Sequence, residues 1–157
     1  MRQSVNNVSD ELLVLGWREW LGLPALGIDR IKAKVDTGAR TSTLHAFAVE
    51  PFTGDGRAQV RFRMHPLQKN TDKIVVCTAD VVDQRMVSDS GGHREKRWVI
   101  STPIEVGDCV WPAEVTLTSR DNMLFRMLLG RTAIAGRGIV NPELSFAQGR
   151  RLGKKQG

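Results

Sequence analysis

Apolar and polar residues alternate along much of this chain, and the period is that of strands. Val60, Phe62 and Met64 alternate with Arg61 and Arg63, the pattern of a half-buried strand. Ile28, Ile31, Ala33 and Val35 are set against Arg30, Lys32 and Lys34, so Ile28 to Val35 reads as a strand with one slip near Asp29. Leu12 to Leu23 carries Trp17 and Trp20 and ends where Pro24 and Gly27 mark a turn. Leu44 to Val49 is a short apolar run, and Gly54-Asp55-Gly56 signals a hairpin turn before the Val60 strand. Lys73 to Val82, Arg97 to Val106 and Val110 to Leu117 read as further strands, the last two joined by a turn at Gly107-Asp108. Phe125 to Leu129 is a dense apolar run. Only Arg131 to Ala135 and the first ten residues have helical character. Short strands divided by turn signals at roughly 8–12-residue spacing imply an all-β barrel or sandwich.

Length and composition narrow this further. A chain of 157 residues fits one domain. It can bury roughly 70% of its unfolded surface without a metal or disulfide staple. The expected organisation is a flexible N-terminus at 1–10, one domain at 11–147 and a basic flexible tail at 148–157. No stretch free of Asp, Glu, Lys and Arg exceeds nine residues, whereas a spanning helix needs about 20 apolar ones. Met1 to Asp10 is polar and lacks the apolar segment of a secretory signal. Two cysteines, Cys77 and Cys109, stand in apolar surroundings, so reduced thiols and a cytoplasmic location are expected. The net charge is +6, but Arg150, Arg151, Lys154 and Lys155 supply four of the basic groups; the rest of the chain holds 19 basic against 17 acidic residues. Such a tail is either a solvated end or a contact for RNA or an acidic partner. No nucleic-acid motif accompanies it. Trp17, Trp20, Trp98 and Trp111 read as core or interface anchors, with the methionines as core filler.

The candidate chemistry begins at Lys34-Val35-Asp36-Thr37-Gly38-Ala39-Arg40-Thr41-Ser42. A strand runs directly into Asp-Thr-Gly. Gly38 permits a sharp turn that presents the Asp36 carboxylate, and the Thr37 hydroxyl can lock that turn. The tripeptide alone also suits an ordinary turn. Met127-Leu128-Leu129-Gly130-Arg131 follows, with Gly130 lying 94 residues beyond Asp36, and Ser90-Gly91-Gly92-His93 lies between them. Three isolated histidines, His45, His65 and His93, show no zinc-ligand spacing, and no phosphate-binding Gly-x-x-x-x-Gly-Lys-Ser/Thr loop occurs.

The pairing of Asp-Thr-Gly-Ala with a later Leu-Leu-Gly-Arg resembles the retropepsins, the retroviral-type aspartic proteases. The resemblance is closer to a bacterial branch labelled ATP-dependent zinc proteases and associated with an ATP-grasp ligase that adds glutamates to a ribosomal protein. It is carried by Leu15-Gly16-Trp17-Arg18-Glu19-Trp20, Lys32 to Ser42, His65-Pro66-Leu67, Asp89 to Arg97 and Phe125 to Ala133. It implies a closed retropepsin-like (acid protease) β-barrel with one short C-terminal helix. It implies peptide or glutamyl-peptide hydrolysis at Asp36, with Thr37 and Gly38 holding the turn. Leu128, Leu129, Gly130 and Arg131 would support the turn from behind. Ala39, Arg40 and a flap bearing Gly91, Gly92, His93 and Arg94 would meet the substrate. Where viral retropepsins often carry an acid after Asp-Thr-Gly-Ala, this chain has Arg40, so Arg131 needs another partner. Arg40 either binds a substrate carboxylate or pairs with Asp83, Asp89 or Glu95.

Aspartic peptidases use two carboxylates sharing one proton, one activating water and the other protonating the carbonyl oxygen. With one Asp-Thr-Gly per chain, the second must come from another copy across a two-fold axis. Asp121 is the alternative within one chain, but its loop lacks Thr-Gly. A homodimer is therefore expected, with contacts from Thr37, Gly38 and the Leu128 to Ala135 region. No cofactor is expected, neither zinc nor ATP; an ATP requirement would reside in a partner ligase. The competing reading is a non-catalytic module that uses Arg40, Arg94 and Arg97 to hold that ligase or its acidic-tailed product.

Overall fold

The computed structural model describes residues 11–88, 91–119 and 124–149. In chain order the strands are β1 (Leu13–Leu15), β2 (Arg18–Leu23), β3 (Ile28–Val35), β4 (Ser42–His45), β5 (Ala48–Gly54) and β6 (Arg57–Met64). They continue with β7 (Val75–Ser88), β8 (Arg94–Val106), β9 (Cys109–Thr118), β10 (Met127–Leu129) and β11 (Gly138–Val140). A 3₁₀ turn at Pro24–Leu26 and one helix, α1 (Arg131–Ile134), complete the described elements. The all-β expectation with a single short helix after the last apolar run is met.

Nine strands hydrogen-bond in the order β2-β3-β10-β4-β9-β8-β7-β6-β5. β2 also pairs with β8 through Leu21 opposite Val106 and Gly22 opposite Glu105. Six strands thus close into a ring, while β7, β6 and β5 leave it as a long antiparallel extension. The ring is sealed over two residue pairs only, so it is a ring of strands with an open wing more than a closed barrel. β1 and β11 form a separate parallel pair.

The alternation read from sequence sets the core. Ile31 and Ala33 of β3, Val60, Phe62 and Met64 of β6 and Ile100 and Ile104 of β8 are fully buried, while Arg61 and Arg63 face out. Burying a side chain such as Phe62 contributes about 1.5–3 kcal/mol. The slip near Asp29 is a bulge: Leu21 pairs with Ile31 but Leu23 with Ile28, leaving one extra residue on β3. At Gly54-Asp55-Gly56 the hairpin closes with Gly54 opposite Arg57, and Asp55 and Gly56 both adopt positive φ, as a tight hairpin turn demands.

Two expected elements differ. The run Leu44 to Val49 is broken, because the chain changes partners at its middle. Ala46 N–H donates to the Thr118 carbonyl at 2.8 Å and Phe47 N–H to that of Arg63 at 3.0 Å, so β4 stays in the ring and β5 joins the wing. The strand expected at Lys73 to Val82 runs on to Ser88, because β8 pairs with it as far as Arg94. The helical reading of the first ten residues lies outside the described residues.

At the C-terminal side, the Phe146 N–H donates to the Arg18 carbonyl at 2.9 Å. The buried Glu19 carboxylate accepts the N–H groups of Gly16, Ala147 and Gln148 at 2.6, 2.8 and 3.1 Å. The anchored chain therefore reaches Gln148, and residues 150–157, most of the expected tail, lie outside the described set. No helix among the described residues is long and apolar enough to cross a membrane.

Candidate active site

β3 delivers Asp36 directly past its last buried residue, Val35, to a half-buried position. One carboxylate oxygen, Oδ1, accepts the Gly38 N–H at 2.9 Å, and the Asp36 carbonyl accepts the Ala39 N–H at 3.2 Å. The turn is thus locked by the aspartate itself. No hydrogen bond of the exposed Thr37 hydroxyl is seen among the described residues, and the Gly38 N–H is taken by Asp36 instead.

The Leu-Leu-Gly-Arg segment packs behind this turn. β10 lies between β3, parallel to it, and β4, antiparallel. The Asp36 N–H donates to the Leu129 carbonyl at 2.9 Å. The Arg131 and Thr132 N–H groups donate to the carbonyls of Ala39 and Arg40 at 2.7 and 2.9 Å. Gly130 N–H donates to Ser42 Oγ at 2.9 Å. Only glycine fits there: a Cβ on residue 130 would stand 2.6 Å from the Thr41 carbonyl carbon and 2.8 Å from the Ser42 nitrogen. Arg131, deprived of an acidic neighbour by Arg40, donates through Nη1 to the Thr37 carbonyl at 2.9 Å. The Trp111 indole N–H donates to the Ala133 carbonyl at 3.0 Å and seats α1 against β9.

Asp36 opens onto a groove of ≈ 980 Å³ between the turn and the β7–β8 hairpin. Its described lining includes Lys34, Arg40, Arg85 and Arg97, and Asp36 is the one acid in it. Arg97 is buried at the groove floor. Its Nη1 donates to Thr43 Oγ1 and Thr116 Oγ1, both at 3.4 Å, and its Nε lies 3.5 Å from Glu95. Thr118 donates to Glu95 in turn, at 3.0 Å to Oε2. Arg85 bridges Asp83 at 2.6 Å and Glu114 at 2.9 Å. Those bonds, Glu114 first, raise the Arg85 guanidinium above its ordinary value, and Arg85 holds the Asp83 carboxyl below its own. Two of the pairs conceived for Arg40 are therefore otherwise engaged: Asp83 with Arg85 and Glu95 with Arg97. Asp89 lies outside the described residues, and Arg40 forms no ion pair among the described ones, standing exposed at the groove with its guanidinium free for a ligand.

The structure brings Asp36, Gly38, Ala39, Arg40 and Leu128 to the groove wall, with Leu129, Gly130 and Arg131 behind them. It does not bring Gly91, Gly92, His93 or Arg94 there. They lie at or beside the exposed end of the hairpin, and its groove-facing portion is Arg85 to Ser88. Arg97, named in the binding-module reading, does line the groove, whereas Lys34, Thr43, Arg85, Thr116 and Thr118 are groove residues that the sequence reading missed. The signal for Arg97 was the phase of β8, in which it occupies an inward position in step with Val99. Asp121 lies outside the described residues. Among the described residues no group of three or more His, Cys, Asp or Glu is placed to hold a metal ion. His45 is buried on β4, His65 stacks on Phe47 and His93 lies at the hairpin end.

Comparison with known proteins agrees with this geometry. A family model described as RimB-like, retropepsin-like aspartic endopeptidase RimB, matches residues 14–151. A Shewanella pealeana protein named probable alpha-L-glutamate ligase is 45% identical over 142 residues, covering 90% of this chain and 31% of that protein. One of the same name from Parasynechococcus marenigrum is 44% identical over 137 residues, covering 87% and 29%. The chain thus spans about a third of the length of these curated relatives. The crystal structure of Lpg0085, a Legionella pneumophila protein of unknown function, superposes with a TM-score of 0.73 at 28% identity, covering 87% of this chain and 98% of that one.

Proposed function

Since this chain belongs to the RimB-like family of retropepsin-like aspartic endopeptidases, we propose that it hydrolyses peptide or glutamyl-peptide bonds in acidic substrates, with Asp36 as its catalytic carboxylate. The observation that carries this reading is Asp36 itself. Its carboxylate is aimed by the Gly38 N–H at the mouth of a groove whose other charged lining residues, among those described, are all basic. A glutamyl chain brings negative charge, and Arg40 and Lys34 supply the complement. Relatives that carry a matching segment within a longer chain are named probable alpha-L-glutamate ligase, which supports a substrate or partner connected with glutamate addition.

Chemistry requires a second carboxylate. The sequence holds one Asp-Thr-Gly, so in this reading the second comes from the same residue of another copy, placed across a two-fold axis. Thr37, Gly38, Arg131, Thr132 and Ala135 are exposed around the turn and available to that contact. The ionised Asp takes a proton from water as the water oxygen bonds to the scissile carbonyl carbon. The protonated Asp gives its proton to the carbonyl oxygen. The resulting tetrahedral diol collapses with cleavage of the C–N bond, the nitrogen receiving a proton from the carboxyl group that took one from water while the other carboxylate takes back a proton from a diol hydroxyl. Arg40 and Arg97 orient acidic side chains and take no part in proton transfer.

The test is Asp36→Asn assayed by mass spectrometry on a glutamate-tailed peptide. Turnover is expected to fall about a thousandfold or more, with peptide binding retained. Undiminished cleavage overturns the reading. Specific activity is also expected to rise with protein concentration through the dimer range. Constant specific activity in a sample that sediments only as monomer would remove the paired-carboxylate mechanism. Chelators are expected to leave turnover intact; restoration by zinc alone, at one equivalent per chain, would overturn that expectation. The basic lining also favours a second reading, a module that binds acidic tails without cutting them. Tight binding by wild-type protein with no cleavage, alone or with a ligase, would establish it.

A further inference from the structure

The outward face of β2 and β3 gathers cations that the sequence alone did not bring together. β3 alternates, with Ile31, Ala33 and Val35 buried and Arg30, Lys32 and Lys34 outward. On β2, Arg18 stands opposite Lys34 and Trp20 opposite Lys32. Phe146 arrives from the C-terminal segment and stacks on Trp20, centroid to centroid 5.9 Å. The cations lie over these rings. Arg30 is 4.7 Å and Lys32 5.3 Å from the Trp20 ring, and Arg18 is 4.6 Å from Trp17 and 4.8 Å from Phe146. The rings hold the alkyl stems in place and leave the N–H groups at the surface. Asp29, the one acid on β3, sits at the bulge and forms no ion pair among the described residues. Glu19 points inward and is occupied by backbone N–H groups.

This face is continuous with the groove, because Lys34 and Trp17 belong to both. Along β3, alternate residues are about 7 Å apart. Alternate side chains of any extended peptide repeat at the same distance. Lys34, Lys32 and Arg30 therefore form a row spanning about 13 Å, in step with every second carboxylate of an extended acidic chain leaving the groove.

We propose that the outward face of β2–β3 is an exosite for an extended acidic polypeptide, engaging carboxylates beyond those held in the groove. The proposal rests on the acidic-substrate reading and adds a length requirement to it. A single-stranded nucleic acid is the other polyanion that such a face could meet. The geometry favours the peptide, since the ring faces on which bases would stack are already covered by Arg18, Arg30 and Lys32.

The experiment measures fluorescence anisotropy of labelled tetraglutamate, decaglutamate and an oligo-uridylate on the full chain. It compares wild type with Arg30→Gln/Lys32→Gln, each checked for folding by circular dichroism. In wild type the decaglutamate is expected to bind much more tightly than the tetraglutamate, and added salt to narrow the gap. In the double variant the affinity ratio of long to short probe is expected to fall about tenfold. An unchanged ratio overturns the exosite. Tighter binding of the oligo-uridylate than of decaglutamate, lost in the same variant, also overturns it and assigns the face to nucleic acid. No turnover is needed, so a failure of the peptidase reading appears separately, as absent cleavage in the Asp36→Asn comparison. If the variant unfolds, the single exchange Lys32→Arg, which keeps the charge, must retain the wild-type ratio, and its loss there counts against the proposal.

Discussion

The two walls of the groove are built by opposite means. On the Asp36 side, three short strands cross within a few residues, and backbone donors and acceptors of 36–40 and 129–132 are bonded to one another. Nothing there can shift alone. On the other side, β7 and β8 run 14 and 13 residues as a paired hairpin. Its groove-facing end exposes Met86 and offers Arg85 and Ser88 through side chains only. The proposed hydrolysis needs a carboxylate fixed to within fractions of an ångström, and the bonded strands hold Asp36 so. The proposed choice of substrate needs side chains that can adjust to it, and the hairpin carries Met86 exposed. Arg97 joins the two, because it sits on β8 but donates to Thr43 on β4.

The sharpest way to break this contrast is Gly130→Ala. The added methyl meets backbone at 2.6 Å and 2.8 Å, so the turn side must spread. A loss of about 3 kcal/mol of stability is expected in urea unfolding, with activity lost even where the fold survives. Ser42→Ala removes the acceptor of the Gly130 N–H and leaves that donor buried. It is expected to cost about 1–2 kcal/mol by the same measurement. Met86→Ala, on the hairpin, is expected to change stability by less than about 0.5 kcal/mol, since Met86 is more than half exposed. Its effect is expected in KM, read from steady-state cleavage. If Met86→Ala destabilised as much as Gly130→Ala, the division of labour would be wrong.

The smallest effect tests the part of β7 that pairs with β6 in the wing. Cys77 is buried on β7, and burial pushes its thiol up to about 11, whereas Cys109 is exposed. At pH 8 a thiol reagent is expected to label Cys109 at once and Cys77 only as β7 opens. Because the folded value lies above that of a free thiol, Cys77 favours the folded state below the unfolded pKa. That contribution fades as pH rises from the ordinary thiol range toward 11. Equal labelling rates would show that β7 opens at Cys77 as readily as the exposed β8–β9 turn that carries Cys109.

The strands were legible where local chemistry decides. The β3 alternation with its bulge, the Gly54-Asp55-Gly56 turn and the Phe62 and Met64 core positions follow from neighbours in sequence. The Asp36 turn and its backing were legible through two short motifs. The groove was not, because Lys34, Arg85, Arg97 and Thr116 come from four strands whose register no local pattern specifies. The grip of Glu19 on Ala147 and Gln148 joins residues 128 and 129 positions apart, beyond the reach of periodicity. Gly91 to Arg94 were singled out by resemblance to a flap, and they lie at or beside the end of the β7–β8 hairpin, outside the described groove lining.

The position of β10 has a consequence for how the molecule comes into being. Three residues near the C-terminal side wedge between β3 and β4, which are separated from each other by only six residues of chain. During synthesis Asp36 emerges long before Leu129, so its N–H has no carbonyl to meet and the carboxylate is not yet aimed. The hairpins β5–β6 and β7–β8 can pair as they emerge, whereas the ring must wait for a partner some 90 residues away, the kind of distant closure that slows folding. The Asp36 turn therefore stays unaimed during synthesis until the chain has emerged past Leu129 and Thr132, whose backbone groups hold it.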